Sequence, residues 1–218
     1  MIDVELLLEP ARTALLVQDL QNDLLAEGGA TASGGAREHS ESLGMIPKLG
    51  SLLSVARTAG ALVVHIHYVV ETGRPTLQRN APLFRSIEEV DSVRRGSWGA
   101  RAFSGVEPAP GDVVVEKMRM NGFYGTRLEP LLRGAGIDTI IVAGALTNLS
   151  IEHTSRHGAD AGFRVIVPSD GTCSFDDEWH RAGLSYGLSL VADVVTCAEI
   201  ERAMSNTTQV RELHGVNQ

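Results

Sequence analysis

Three residues carry side chains suited to chemistry and stand where one fold could gather them. Asp19 directly follows the apolar run Thr13–Gln18. Lys117 directly follows the run at 112–116. Ser150 comes shortly after the run at 139–143, beyond Gly144-Ala145-Leu146-Thr147-Asn148-Leu149, at the start of a helical stretch. A carboxylate can move a proton, an ammonium can tune that carboxylate, and a hydroxyl can act as nucleophile. Each also has an ordinary use. Asp after a strand caps a helix or makes a turn, Lys snorkels at the surface, and Ser caps a helix. Spacing alone leaves both readings open, so the elements that must position these residues decide.

The apolar runs lie at 13–18, 61–66, 112–116, 139–143, 163–167 and 190–195. They are short, rich in Val and Ile, and mostly lack the alternation of a half-solvated strand. Strands covered on both faces read this way. Helical segments are expected between them at 46–60, 127–136, 150–162 and 178–187, several ending at glycine. Residue spacing puts Ile46, Leu49, Leu53 and Ala56 on one helix face. The stretch from 70 to 110, rich in Gly, Pro and Arg, reads as an excursion over the active-site end. Alternating strands and helices with right-handed crossovers make an α/β, three-layer Rossmann-like fold. We expect six mainly parallel strands in the order 3-2-1-4-5-6, with helices on both faces. Ligands of such sheets bind beyond the carboxyl ends of the strands, where the order reverses. Asp19 and Ser150 then face each other, with Lys117 leaning in.

Other function classes fall away. A chain of 218 residues buries roughly 70% of its unfolded surface, enough for one core, so a single domain over 1–218 is expected. With 19 basic and 27 acidic residues the net charge is −8, which argues against nucleic acid. No apolar run approaches a membrane span. Residues 1–10 carry acids where a signal peptide is basic, so a cytoplasmic location is expected. Cys173 and Cys197 make neither a disulfide framework nor a thiolate zinc site. The first turn, Asp19-Leu20-Gln21-Asn22, is not a G-x-G-x-x-G, and no Walker sequence occurs, so NAD and ATP are not indicated.

Three ordered motifs resemble the isochorismatase-like family, or cysteine hydrolases. Ala14-Leu15-Leu16-Val17-Gln18-Asp19-Leu20-Gln21-Asn22-Asp23 resembles its strand ending in D-x-Q-N-D. Val115-Glu116-Lys117 with Asn121-Gly122-Phe123-Tyr124-Gly125-Thr126 and Leu128 resembles K-x-x-x-S/N-x-F-x-x-T-x-L. Gly144-Ala145-Leu146-Thr147-Asn148-Leu149-Ser150-Ile151-Glu152 resembles G-x-x-T-N-x-C-V-E. Asp170 and 177–180 fit the family's tail. The resemblance implies hydrolysis of a small amide, ureido or carbamoyl substrate by an Asp–Lys–Cys-type triad. It would comprise Asp19, Lys117 and the residue at 150, with backbone N–H groups of Leu146 and Ser150 as the oxyanion hole. It also implies a cis peptide at Ala145–Leu146 and a homo-oligomer, dimer or tetramer.

One departure stands out: residue 150 is Ser, not Cys. A serine hydroxyl needs a strong adjacent base, and Asp19 beside an ammonium is expected to be a weak one. His153 and His157 lie on the same helix, where structural roles are expected. Three explanations fit. Ser150 is a Cys→Ser substitution that traps substrate. Or it is natural and the reaction, as in vinyl-ether hydrolysis of isochorismate, needs no covalent nucleophile. Or the chain is a non-catalytic binding relative. Family isochorismatases usually carry Gly at this position and lack the preceding Thr-Asn. Thr147, Asn148 and Glu152 are those of the amidases, and amidase ancestry is favoured.

No metal or other cofactor is expected. His65 and His67 are read as pointing to opposite faces of a strand, without an Asp at the spacing of the nicotinamidase metal site. Arg94-Arg95-Gly96-Ser97-Trp98 resembles an element of the ureidoacrylate and carbamoyl amidases. Leu24, Trp98, Phe123 and Tyr124 are candidate substrate-binding residues. One of the arginines between Arg74 and Arg101 is a candidate for a substrate carboxylate.

Overall fold

The computed structural model describes residues 8–71 and 79–213, with side chains through 206. The strands are β1 (Thr13–Gln18), β2 (Leu62–Tyr68), β3 (Val113–Lys117), β4 (Thr139–Ala145), β5 (Arg164–Pro168), β6 (Thr172–Cys173) and β7 (Asp193–Val195). They form one sheet in the order β3-β2-β1-β4-β5-β7, with β6 paired to β4, and every ladder is parallel. The expected order holds for the six runs read from sequence. The two-residue β6 is an addition too short to leave a pattern.

The β1 ladder explains its apolar run. β2 flanks it on one side and β4 on the other, and all six residues are buried. Its side chains alternate between two cores. Leu15 and Val17 join Ile141 and Ala143 of β4 in one; Ala14 and Leu16 join Ile140 and Val142 in the other. The first core is covered by α3 (Met45–Ala59) through Leu49, Leu52, Leu53 and Ala56, and by α8 (Cys197–Leu213) through Ile200 and Met204. The second is covered by α5 (Leu128–Gly134) through Leu128 and Leu132. α3 ends where the sequence says it should. Gly60 adopts φ 81 and the N–H of Ala61 reaches back to the Ala56 carbonyl.

The remaining helices are α1 (Asn22–Leu25), α2 (Ala36–Leu43), α4 (Pro82–Glu89), α6 (Glu152–Asp160) and α7 (Asp177–Ala182). Sequence patterning did not pick out α2, α4 or α8. α4 falls inside the stretch read as an irregular excursion, part of which (72–78) lies outside the described residues. Among the described residues no helix is long and apolar enough to cross a membrane.

Where β1 and β4 end side by side, Gln18 opposes Gly144. Gly144 has φ 117, and a Cβ there would lie 2.1 Å from the Gln18 carbonyl oxygen. Both backbone conformation and space demand glycine. Gly144→Ala should therefore cost about 3 kcal/mol or more. Thermal melting against wild type checks this; an unchanged midpoint would show that the strand ends can separate freely.

Candidate active site

β1 delivers Asp19 through a sharp turn. Asp19 takes φ 60, a conformation Asp tolerates better than most residues, with its N–H on the Ile66 carbonyl. Lys117 is the last residue of β3, two strands away from β1. With strands about 4.8 Å apart, only a long side chain bridges that distance. The Lys117 ammonium lies 2.8 Å from Asp19 Oδ2, 2.9 Å from the Met120 carbonyl and 3.2 Å from Ser150 Oγ. Three acceptors match its three hydrogens. The Tyr68 ring lies beneath, 5.1 Å from Nζ to centroid. Ser150 sits on the wide turn Thr147–Ile151 after β4, where the N–H of Ile151 bonds to the Leu146 carbonyl at 3.1 Å. The Ala145–Leu146 peptide just before it is cis. The fold thus brings Asp19, Lys117 and Ser150 into contact.

All three are buried, and burial decides the electrostatics. Desolvation pushes the Asp19 carboxyl above its ordinary range, although Lys117 and Ser150 pull it down. Desolvation likewise pushes the Lys117 ammonium down against the pull of Asp19. The sequence-based expectation of a weak base weighed only the neighbouring cation. Removal from water is the larger effect, and it leaves a more basic carboxylate. Asp19 Oδ1 is buried with no hydrogen-bond partner.

Polar residues around these three fix loops. The Gln21 side chain accepts from the Tyr68 N–H and donates to the carbonyls of Tyr68 and Ala100. Asn22 donates to the Trp98 carbonyl. The Asp23 carboxylate accepts from the N–H groups of Ala30 and Val93 and from the Ser92 hydroxyl. Gln18 bonds the Met120 carbonyl and Thr154, and Thr154 accepts from the Gly122 N–H. This holds the loop that offers Met120 to Lys117.

A cavity of about 310 Å³ opens onto Asp19 and Ser150. Leu24 and Leu146 line it, but Trp98, Phe123 and Tyr124 do not. Phe123 is turned into the second core, stacked on His157 at 4.6 Å, because its N–H bonds the Asn121 side chain in a tight turn. Trp98 and Tyr124 are 49% and 66% exposed. The outer wall comes instead from α4 and the residue after it: Leu83, Ile87 and Val90. Their i, i+4, i+7 spacing after Pro82 was a readable helix signal. Arg79, Arg85, Arg94, Arg95 and Arg101 do not line the cavity, and Arg74 lies outside the described residues.

His67 lies near enough to Asp19 for each to act on the other's charge, and the other described histidines are engaged elsewhere. His65 and His67 share a strand face, contrary to the expectation of opposite faces, because residues two apart point the same way. Their rings meet edge to face at 6.2 Å. His65 bonds Asp112 at 3.1 Å, and Arg57 holds the same carboxylate. Among the described residues no three His, Cys, Asp or Glu side chains are grouped to hold a metal. His153 is exposed and bonded to the Leu149 carbonyl. Cys173 is buried, its thiol pushed up to about 12, and Cys197 is also buried. His180 contacts the Thr147 hydroxyl at 2.8 Å and packs against His39.

Burial pushes the imidazoles of His39, His65 and His180 below 6.5. Each then binds fewer protons folded than unfolded, so stability rises with pH across the gap. The contribution is complete above about pH 6.5 and is lost as pH falls toward the folded values. The melting midpoint should drop from about pH 7.5 to about pH 5.5, and less steeply in His39→Gln. Identical slopes would rule out His39 as a contributor.

An isochorismatase domain model matches residues 13–199. The ureidoacrylate amidohydrolase RutB of Methylobacterium radiotolerans is 31% identical over an alignment of 195 positions that covers 82% of this chain and 74% of that protein. A cysteine hydrolase from Pseudomonas syringae superposes with a TM-score of 0.81 at 26% identity, covering 91% of this chain and 95% of the other. N-carbamoylsarcosine amidase from Thermoplasma acidophilum superposes at 0.67 with 26% identity, covering 85% and 96%. A parallel sheet of this order, with the site at its reversal point and relatives that are amidohydrolases and cysteine hydrolases, places the chain in the isochorismatase family of hydrolases.

Proposed function

We propose that the protein is an amidohydrolase acting on a small amide, ureido or carbamoyl substrate. Asp19, Lys117 and residue 150 act as the triad, and the N–H groups of Leu146 and Ser150 as oxyanion donors. The observation that carries the reading is the three-way contact at Lys117 Nζ, at the floor of the cavity. Asp19 takes the proton from residue 150, whose side chain bonds to the substrate carbonyl carbon. The C–N bond breaks as Asp19 returns the proton to nitrogen, and ammonia or an amine leaves. Water, deprotonated by Asp19, then adds to the acyl carbon, the bond to residue 150 breaks, and Asp19 returns the proton to that side chain as the acid leaves. The names of two relatives, an ureidoacrylate amidohydrolase and an N-carbamoylsarcosine amidase, support a C–N bond as target. A homo-oligomer fits the exposed Tyr186 and Leu190, 83% and 90% accessible.

A second reading draws on the raised Asp19 carboxyl, which suits a general acid for vinyl-ether hydrolysis. One experiment separates the readings: assay the Ser150 and Ser150→Cys proteins side by side for ammonia release from ureido acids, biuret and simple carboxamides, and for isochorismate cleavage. Ammonia release that grows with cysteine and vanishes with Asp19→Ala is expected. Isochorismate cleavage by the serine form alone would favour the ether reading. Silence in both assays would leave a binding protein.

A further inference from the structure

The cavity is polar at its floor and apolar toward solvent. Asp19 and Ser150 lie at the buried end, with Lys117 behind them. Leu83, Ile87 and Val90 form one wall, facing Leu24, Leu149 and Phe175. Its polar side chains are largely committed elsewhere: the Gln21 amide to Tyr68 and Ala100, the Ser92 hydroxyl to Asp23, the Tyr68 hydroxyl to Met118. Among the described residues no Arg or Lys lines the outer part. Three arginines on the neighbouring excursion hold acids instead, Arg79 with Glu88 and Glu89, Arg94 with Asp91, and Arg95 with Glu71 and Glu116, while Arg85 bonds the Arg79 carbonyl. A net charge of −8 adds a field unfavourable to anions.

A substrate anion seated against that wall would lose its water and gain no cationic partner among the described lining residues, and burying an unpaired charge is strongly disfavoured. A hydrocarbon group there gains what the anion loses. We infer that this site takes a neutral amide whose far end is apolar, and discriminates against amides that end in a carboxylate. The hydrolytic half of this statement rests on the amidohydrolase reading; the binding preference does not.

Two ligands of closely similar shape test it: 4-methylpentanamide, which ends in an isopropyl group, and succinamate, which ends in a carboxylate. Binding to the Ser150 protein is measured by calorimetry, and kcat/KM for both in Ser150→Cys by ammonia release. The neutral amide should bind at least about tenfold more tightly. Val90→Arg puts a guanidinium at an exposed point of the wall, at the end of α4, where a cation suits the helix. It should shrink or reverse that ratio. Equal binding, tighter succinamate, or no binding of 4-methylpentanamide up to about 10 mM would overturn the inference. Selective binding without turnover in Ser150→Cys would sink the hydrolase reading and leave the preference standing. Turnover of succinamate over the neutral amide would do the reverse.

Discussion

Lys117→Met is expected to lower kcat/KM for amide hydrolysis in the Ser150→Cys background by about 10³-fold or more, a loss on the order of 4 kcal/mol of transition-state stabilisation. The methionine fills the channel across β2, but the carboxylate at Asp19 and the side chain at 150 lose the donor that holds them together. Stability should suffer too. Removing one partner of a buried ion pair costs about 3–5 kcal/mol, because the other charge is stranded. Here the stranded group can escape by taking a proton. Its folded pKa, already raised by burial, rises further without the ammonium. A carboxyl raised in the folded state contributes stability that is full below its unfolded pKa and lost as pH rises through the folded value. The melting gap between variant and wild type should therefore widen with increasing pH. The double variant Asp19→Asn, Lys117→Met should recover much of the stability and none of the activity. Retention by Lys117→Met, in that background, of more than about a tenth of the kcat/KM of the Ser150→Cys parent would take the amine out of the chemistry.

Ser150→Cys is expected to raise ammonia release by about 10³-fold or more, the scale on which losing a competent nucleophile acts in other hydrolases. A thiol ionises near pH 8.5, within reach of a carboxylate whose basicity burial has increased. A serine hydroxyl does not, and among the described residues no histidine hydrogen-bonds to it: His153 faces solvent and His157 stacks on Phe123. The buried position, 2% accessible, accepts either side chain. An acyl-enzyme burst should accompany turnover by the cysteine form, and Asp19→Asn should remove it. Equal rates for serine and cysteine would mean that residue 150 is not the nucleophile.

Much of this was legible in the chain. The buried strands announced themselves because a parallel sheet covered on both faces demands short Val- and Ile-rich runs, and β1 came out residue for residue. Strand order then placed Asp19 next to Ser150, and the length of a lysine side chain did the rest. The cavity wall was less visible. Phe123 and Trp98 drew notice as aromatics near motifs, yet local turns send Phe123 into the core and leave Trp98 in solvent. Leu83, Ile87 and Val90 were obscured by the Pro-, Gly- and Arg-rich composition around them. The charge balance at Asp19 was also hidden. Sequence displays the neighbouring cation but not the degree of burial that outweighs it.

The lysine arrives from β3, which among the described residues has a neighbouring strand on one side only. The proposed chemistry would thereby depend on the margin of the sheet as well as on its middle. A fluctuation that lifted β3 from β2 would carry the Lys117 backbone with it and strain the contacts of the ammonium. The salt links of Glu116 to Arg95, on the outer face of that strand, then do more than protect an edge. They brace, through Arg95 and Glu71, the strand from which the Lys117 ammonium is presented.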